Sequence, residues 1–378
     1  MLKLALLTPG YTPAVQKRGM GFCQHGFEVL QISELHSYQT YSQHPDILPD
    51  LAYSLKPVPI YRVGHPHRGF LISLLAFLKS FGPDVIAVER DPDTLIALQV
   101  AIARNVWAPS AKLILHSWQN VARPLRPLPR WVLNRTLRAA EGICYANQDG
   151  SEILQQWGYT GRTFYQIWHG VDTEIFYPHD AMDLRKRYLS APGFLLGYVG
   201  RLVPEKGLDA MIKAVARSPG TIHAVLIGNG PQRAELVALA EAQNVTGRIH
   251  FLGSIPHPEL PRYFSMLDAL VLPSHTTPVW KEQFGRVLIE AMACGIPCIG
   301  SNSGAIPEVI GPAGRIFPEG DTTALAACIQ ELHDSPNLCV ALRQEARARV
   351  IEHYTVAKVT TQIAQIYKDI AYATANNA

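Results

Sequence analysis

WKEQFGRVLIEAMACG, the stretch from Trp280 to Gly295, sets two carboxylates at the mouth of a helix. The run Arg286–Cys294 has helical spacing, with Val287, Ile289, Ala291, Met292 and Ala293 as its apolar surface. Gly295 at the C′ position and Pro297 beyond it end the helix. The free N–H groups of a first turn, with the positive end of the helix dipole, suit an anionic ligand. Glu282, ahead of the Phe284-Gly285 step, can reach hydroxyls beside that anion, and Glu290 can hydrogen-bond a ribose. A carboxylate accepts two hydroxyl bonds in fixed geometry, which a neutral side chain does less well. The plainer alternative is an amphipathic helix with one solvated glutamate at its start and another on its polar face, because carboxylates at helix starts are common. The rest of the chain decides between them.

A chain of 378 residues is too long for one ordinary core, so two domains are expected. An apolar content of 48% with 17% charged residues describes a folded chain, not a disordered one. The net charge of +3 is too small to argue for a nucleic-acid partner. The six cysteines are scattered and none joins a histidine in zinc-ligand spacing, so they read as reduced thiols of a cytosolic protein. On that reading the sequons at Asn134 and Asn244 carry no glycan. Leu2–Leu7 is too short for an export signal, and Phe70–Leu78 is too short to span a bilayer.

Short apolar runs alternate with longer helical patterns along the whole chain, the mark of parallel sheets built from βαβ units. The expected strands of the first half are Leu2–Leu7, Glu28–Ile32, Asp84–Val88, Lys112–His116, Gly142–Tyr145 and Thr163–Ile167. Those of the second half are Phe194–Val199, His223–Ile227, Ile249–Leu252, Ala269–Leu272 and Cys298–Gly300. Helical patterns at Leu208–Ala216, Gln232–Gln243 and Thr322–His333 lie between them. The segment Tyr177–Gly193 carries two proline breaks and separates an expected first domain, 1–178, from a second, 179–355. The last pattern, Val356–Ile370, is expected to return to the first domain. Open parallel sheets bind ligands at the carboxyl ends of their strands.

At those ends lie the candidate motifs. Gly200-Arg201 and the following LVPEKG place Arg201 and Lys206 in one loop, where two cations can clamp a diphosphate and neutralise it as it leaves. A solvated basic loop is the alternative. Gly228-Asn229-Gly230-Pro231 lacks the third glycine of a dinucleotide fingerprint and reads as a tight turn near the nucleotide. Ser303 and Gly304 follow a further strand and can let backbone approach a ligand.

In this order the residues resemble the retaining glycosyltransferases of the GT-B fold, specifically glycosyltransferase family 4. The match rests on Gly200, Arg201, Glu205, Lys206 and Gly207, then Gly228, Gly230 and Pro231. It continues through Glu282, Phe284, Gly285, Glu290, Ala291, Met292, Gly295 and Pro297 to Pro307, Glu308, Gly314, Gly320 and Asp321. His169–Pro178 is similar to the family's interdomain segment, with His169 in place of the usual Asn. The resemblance implies an α/β GT-B architecture, two Rossmann-like domains with parallel sheets facing across a cleft. It implies a UDP- or GDP-linked sugar as donor, held mainly by the second domain, with Gly10, Phe284, Gly285 and Arg286 among its contacts. By the same resemblance Arg201 and Lys206 hold the diphosphate, Glu290 the ribose and Glu282 the sugar hydroxyls. His116 is similar to the family's first-domain active-site histidine; a strand-end histidine capping a helix is its alternative. Transfer proceeds with retention, the leaving phosphate taking the acceptor proton, and the family usually needs no metal. The acceptor is a glycan, glycolipid or other hydroxyl compound, and the setting polysaccharide or glycoconjugate biosynthesis.

The first half departs from the pattern. Where relatives carry a glycine pair after the first strand, this chain reads Thr8-Pro9-Gly10-Tyr11, so Gly10 serves alone or Gly19 and Gly21 mark another loop. Asp91-Pro92-Asp93 is expected to open a helix as N-terminal chemistry and not to hold manganese. Between Thr94 and Ala140 there is no acidic residue, while Arg104, Lys112, Arg123, Arg126, Arg130, Arg135 and Arg138 occur. Helical spacing puts Trp131 on the outward face among Arg130, Asn134, Arg135 and Arg138. That face is either a peripheral contact with the inner side of a membrane or a surface tryptophan stacked under an arginine. The rival activities are a nucleotide-sugar epimerase on the same fold and a non-catalytic nucleotide-binding protein. A nicotinamide dehydrogenase would need the complete glycine fingerprint, which is missing.

Overall fold

Each run expected as a strand is one, in two separate parallel sheets. The computed structural model describes residues 1–35, 47–61, 67–122, 124–189 and 191–373. Contacts divide the chain into one unit of Met1–Gly170 with Val356–Ala378 and a second of Val171–Thr355.

The strands of the first unit are β1 (Leu2–Thr8), β2 (Phe27–Glu34), β3 (Ser54–Val58), β4 (Ile60–Tyr61), β5 (Phe70–Leu71), β6 (Val85–Val88), β7 (Lys112–Ser117), β8 (Gly142–Tyr145) and β9 (Arg162–Tyr165). Seven of them form one parallel sheet in the order β3-β2-β1-β6-β7-β8-β9, and β4 and β5 form a small antiparallel pair. The central strands are apolar almost without interruption because both faces are covered. Along β1, Ala5 and Leu7 enter one buried cluster while Leu4 and Leu6 enter the other. The second cluster is closed by helix Val356–Ala371, which buries Val359, Ile363, Ala364, Tyr367 and Ile370. Its Tyr367 ring stacks on Phe22 of helix Pro13–Gln24 at 5.6 Å.

The second unit contributes β10 (Phe194–Val199), β11 (Ile222–Ile227), β12 (Ile249–Leu252), β13 (Ala269–Leu272), β14 (Cys298–Ser301) and β15 (Gly314–Phe317). They form a parallel sheet in the order β12-β11-β10-β13-β14-β15. The strand order reverses between β1 and β6 in one sheet and between β10 and β13 in the other. At such a switch point the loops leaving two adjacent strands run apart and open a crevice.

Four strands escaped the sequence reading, the short antiparallel pair β4 and β5 and the edge strands β3 and β15. β3 (SLKPV) carries Pro57 and alternates polar with apolar, which only an edge position tolerates. β15 (GRIF) is also an edge strand, four residues long. The Asp-Pro-Asp expectation is corrected as well. Helix Leu95–Trp107 is capped by Thr94, whose side chain accepts from the Ala97 N–H. Asp91 instead accepts from Ser117 Oγ, Trp118 N and Gln119 Nε2, pinning the loop after β7. Burial and the nearby Asp93 push its pKa up. Among the described residues no helix is long and apolar enough to cross a membrane, and no group of three or more His, Cys, Asp or Glu side chains is placed to hold a metal ion.

Candidate active site

The switch point of the second sheet gathers the charged residues that the motifs nominated. The loop after β10 carries Arg201 and Lys206; the loop after β13 carries Ser274, Trp280 and Glu282. A short 3-10 turn, Pro204–Lys206, delivers Lys206, and Gly207 closes it at φ +64°. A Cβ on Gly207 would lie 2.1 Å from the Pro273 carbonyl oxygen, so only glycine lets the first loop rest on the second. The His275 N–H donates to the Glu205 carbonyl at 2.9 Å and fastens the two together.

This places Lys206 Nζ 2.6 Å from Glu282 Oε2, with Nζ also 4.7 Å from the centre of the Trp280 indole. Ser274 Oγ donates to the same Oε2 at 2.9 Å, and Ser301 Oγ fixes Ser274 through its carbonyl at 2.6 Å. Glu282 is 7% exposed, so the solvated glutamate of the plainer sequence reading is not what the fold makes. Behind it stands Gly304 at φ +53°, where a Cβ would come within 2.0 Å of the Glu282 carbonyl. The Ala305 N–H donates to that carbonyl at 3.0 Å. Gly304 thus seats the main chain of Glu282. Ser303 Oγ lies 3.0 Å from Thr276 Oγ1 and ties the β14 and β13 loops.

Helix Arg286–Ala293 begins at Gly285, which adopts φ +74°, and Gly295 closes the far end at φ +72°, as a C′ glycine should. Glu290, 7% exposed, faces His257 Nε2 at 3.0 Å and Arg286 Nε at 3.3 Å. Burial alone would raise its pKa, but the His257 hydrogen bond and the Arg286 charge outweigh it and hold the carboxyl below its ordinary value. Glu290 is therefore an oriented carboxylate with hydrogen-bond capacity left for a hydroxyl. The Phe284 ring is buried and meets Tyr354 edge-on at 6.0 Å, so its side chain belongs to the core.

The remaining candidates are placed as follows. Arg201 is half exposed, with only a loose approach to Glu205 at 3.8 Å, while its carbonyl accepts from Tyr198 Oη at 2.7 Å. Gly228 lies against the backbone of Gly200, and Gly230 against that of Leu202. These glycines let the β10 and β11 loops pack together. Asp321 of the late motif caps helix Thr322–Asp334 by accepting from the Thr323 and Ala324 N–H groups. Gly10 and His116 belong to the first unit. The Gly10 carbonyl accepts from Thr8 Oγ1 at 2.7 Å beside the end of β1.

His116 lies in the interior of the first unit. It is fully buried; Nε2 lies 2.9 Å from Tyr367 Oη, and the ring stands edge-on to Trp168 at 4.5 Å. It alternates with Leu115 on β7 and so faces the cluster closed by helix Val356–Ala371, not a strand-end surface. Burial drives its pKa down to about 3, with the Arg18 charge adding to the effect, so the ring is neutral.

The profile of the family described as Glycosyl transferases group 1 matches residues 183–349. A glycogen synthase of Mycobacterium tuberculosis (strain ATCC 25618 / H37Rv) is 35% identical over 325 residues, 81% of this chain and 74% of that protein. The chain belongs to the glycosyl transferases group 1 family. An N-acetyl-alpha-D-glucosaminyl L-malate synthase of Bacillus anthracis is 31% identical over 209 residues, which is 54% of this chain. That match covers 53% of the relative, so the chain spans about half the length of this curated protein. Among solved structures, Anabaena HepE in complex with UDP has a TM-score of 0.75 at 20% identity, covering 98% of this chain and 100% of that one. A sucrose-phosphate synthase from Thermosynechococcus elongatus has a TM-score of 0.74 at 22% identity, over 99% and 100%. The fold of this group 1 family member is GT-B.

Three groups in the site were missed in the sequence: Ser274, Trp280 as a seat for Lys206, and His257 as a partner of Glu290. Ser274 had a signal, a small hydroxyl one residue past Pro273 at a strand end. His257 had none, being 33 residues from the carboxylate it holds.

Proposed function

We propose that this chain is a retaining glycosyltransferase that moves a hexosyl unit from a UDP- or GDP-linked sugar to a hydroxyl of a glycan or glycolipid. The second unit is the donor side and the first the acceptor side. One observation carries the reading: the switch point of the second sheet holds a cation, Lys206, in contact with a buried carboxylate, Glu282. A phosphate ligand needs the former and sugar hydroxyls the latter. Glu290, oriented by His257 and Arg286, is the ribose acceptor, and half-exposed Arg201 is the second cation of the diphosphate clamp. In the transfer, the bond from the anomeric carbon to the β-phosphate oxygen breaks. A bond to the acceptor oxygen forms on the same face, and the acceptor proton passes to the departing phosphate. Lys206 and Arg201 stabilise the charge that develops on that phosphate. No step is assigned to His116 or to a metal.

The protein works in the cytoplasm, in polysaccharide or glycoconjugate biosynthesis, and meets the inner face of a membrane through one side of the first unit. Helix Pro127–Ala139 buries Val132, Leu133 and Leu137 and turns Leu128 and Trp131 outward. The Arg135 guanidinium lies 5.7 Å from the Trp131 ring centre, and Arg126, Arg130 and Arg138 are exposed on the same helix and its entry. Arg123 lies outside the described residues. Exposed apolar groups among arginines suit an anionic lipid surface.

The test is a thermal-shift screen of the full chain against UDP, GDP, ADP and their glucose and mannose conjugates. A ligand at a hundred times its Kd stabilises the fold by about 2.7 kcal/mol, enough to raise the melting temperature measurably. One nucleotide should stand out, and Lys206→Ala should abolish its shift. A screen with no shift for any of them would remove the donor assignment.

A further inference from the structure

The reading above uses Lys206 for phosphate and Glu282 for sugar, yet the fold holds the two groups on each other. Nζ donates to Oε2 at 2.6 Å, and the side chains are 15% and 9% exposed. The Trp280 ring face keeps Nζ in place, and Ser274 Oγ keeps the carboxylate in place. Withdrawing one member of such a pair leaves the other charge buried without compensation. A diphosphate that takes Lys206 therefore takes this cation away from Glu282, and hydroxyls that reach Glu282 at the same time offset the loss. A nucleotide sugar brings both; a nucleoside diphosphate brings only the phosphates.

We propose that Lys206 and Glu282 form an exchange pair that couples release of the nucleoside diphosphate to departure of the sugar, with Trp280 and Ser274 as its positioning residues. The proposal rests on the donor-site reading. When the complete donor is bound, Lys206 holds the diphosphate and Glu282 the sugar hydroxyls. Once the sugar has moved to the acceptor, Glu282 loses those partners. The carboxylate retakes Lys206, and the nucleoside diphosphate, left with a weakened clamp, dissociates. The pair thus discriminates between donor and spent donor through the sugar that Glu282 senses.

The test is isothermal titration of UDP and GDP, and of the matching sugar conjugates, into the full chain and its variants. Glu282→Gln should bind the nucleoside diphosphate roughly tenfold tighter than wild type, about 1.4 kcal/mol. It should bind the nucleotide sugar no tighter, because the carboxylate's hydroxyl contacts are gone. Simple repulsion between Glu282 and phosphate would tighten both ligands, so two further variants separate the effects. Glu282→Asp keeps the charge but draws it back from Lys206, and it should still tighten the nucleoside diphosphate. In a Lys206→Met background the gain from Glu282→Gln should vanish, as a double-mutant cycle requires for a direct pair. A gain of the same size with Lys206 removed, or no gain in either Glu282 variant, overturns the exchange pair. If Glu282→Gln does not fold, Glu282→Asp carries the same comparison. Failure of the wild-type chain to bind any nucleoside diphosphate would instead overturn the donor-site reading itself.

Discussion

Acidifying the protein from pH 7 to pH 5 singles out His116. Its Nε2 pairs with Tyr367 Oη at 2.9 Å, and Nδ1 has no partner among the described residues. Burial, with a smaller contribution from the Arg18 charge, lowers its pKa from 6.5 to about 3. Between those values the unfolded chain takes up a proton that the folded ring refuses. The stability due to the neutral ring is thus fully present above 6.5 and drains away as the pH falls toward 3. At pH 5, one and a half units below the unfolded value, the loss is about 2 kcal/mol at 1.36 kcal/mol per unit. His116→Phe keeps a flat ring of similar size and cannot titrate, so the variant should lack this loss. Glu89, whose pKa burial raises despite Arg18, titrates in the opposite sense but is present in both proteins. Urea unfolding at pH 7, 6 and 5, followed by tryptophan fluorescence, reads the first unit, because only Trp280 of the six tryptophans lies in the second. The stability gap between variant and wild type should move by about 2 kcal/mol in the variant's favour from pH 7 to pH 5. Equal losses in the two proteins would refute the burial. The folded imidazole would then titrate near its ordinary value, open to water.

Two further outcomes follow from local geometry. Gly304→Ala should lose about 1–2 kcal/mol from the left-handed backbone alone and more from the contact with the Glu282 carbonyl. It should also weaken nucleotide-sugar binding, and urea unfolding with titration of the ligand reads both; an unchanged affinity would mean that Gly304 does not seat Glu282. At the membrane face, flotation with anionic liposomes should recover the protein, and Arg135→Ala with Trp131→Ala should cut binding several-fold, since one arginine near such a surface contributes about 1 kcal/mol. Absence of binding, or binding indifferent to both changes, would leave Trp131 as a surface ring stacked under Arg135.

The sheets were legible because a strand covered on both faces must be apolar along its buried length, and Leu4–Leu7 of β1, Phe194–Val199 and Ala269–Leu272 are. The edges were only half legible: β9 and β12 were read, whereas β3 and β15 were not, because an edge strand such as β3 has no such constraint and admits Pro57. Individual site residues were legible as charged groups just past strand ends. Their partners were not, since strand order decides which loops meet, and the spacing of residues along the chain does not encode it. Lys206 and Glu282 are 76 residues apart and touch only because β13 lies beside β10. His116 shows the same limit from the other side. Its neighbour Tyr367 is 251 residues away on a helix that returns to the first unit, and without that helix the strand-end histidine reads as exposed.

The glycines of the family pattern gain a second meaning from this geometry. Gly207 lies on the Pro273 carbonyl and Gly304 on the Glu282 carbonyl, one under each member of the ion pair. Neither glycine needs to touch a ligand to matter. Each removes a Cβ that would push one loop away from the other, and a shift of an ångström would break a 2.6 Å contact between charges. A motif that reads along the chain as a phosphate loop followed by a sugar loop is, in three dimensions, two halves of one seat. The seat keeps a cation and an anion in contact until a ligand carrying both complements arrives. A site built to bind phosphate alone would leave Lys206 free for it. On the proposed exchange, phosphate competes with a buried carboxylate for Lys206, and that competition lets the spent nucleotide go.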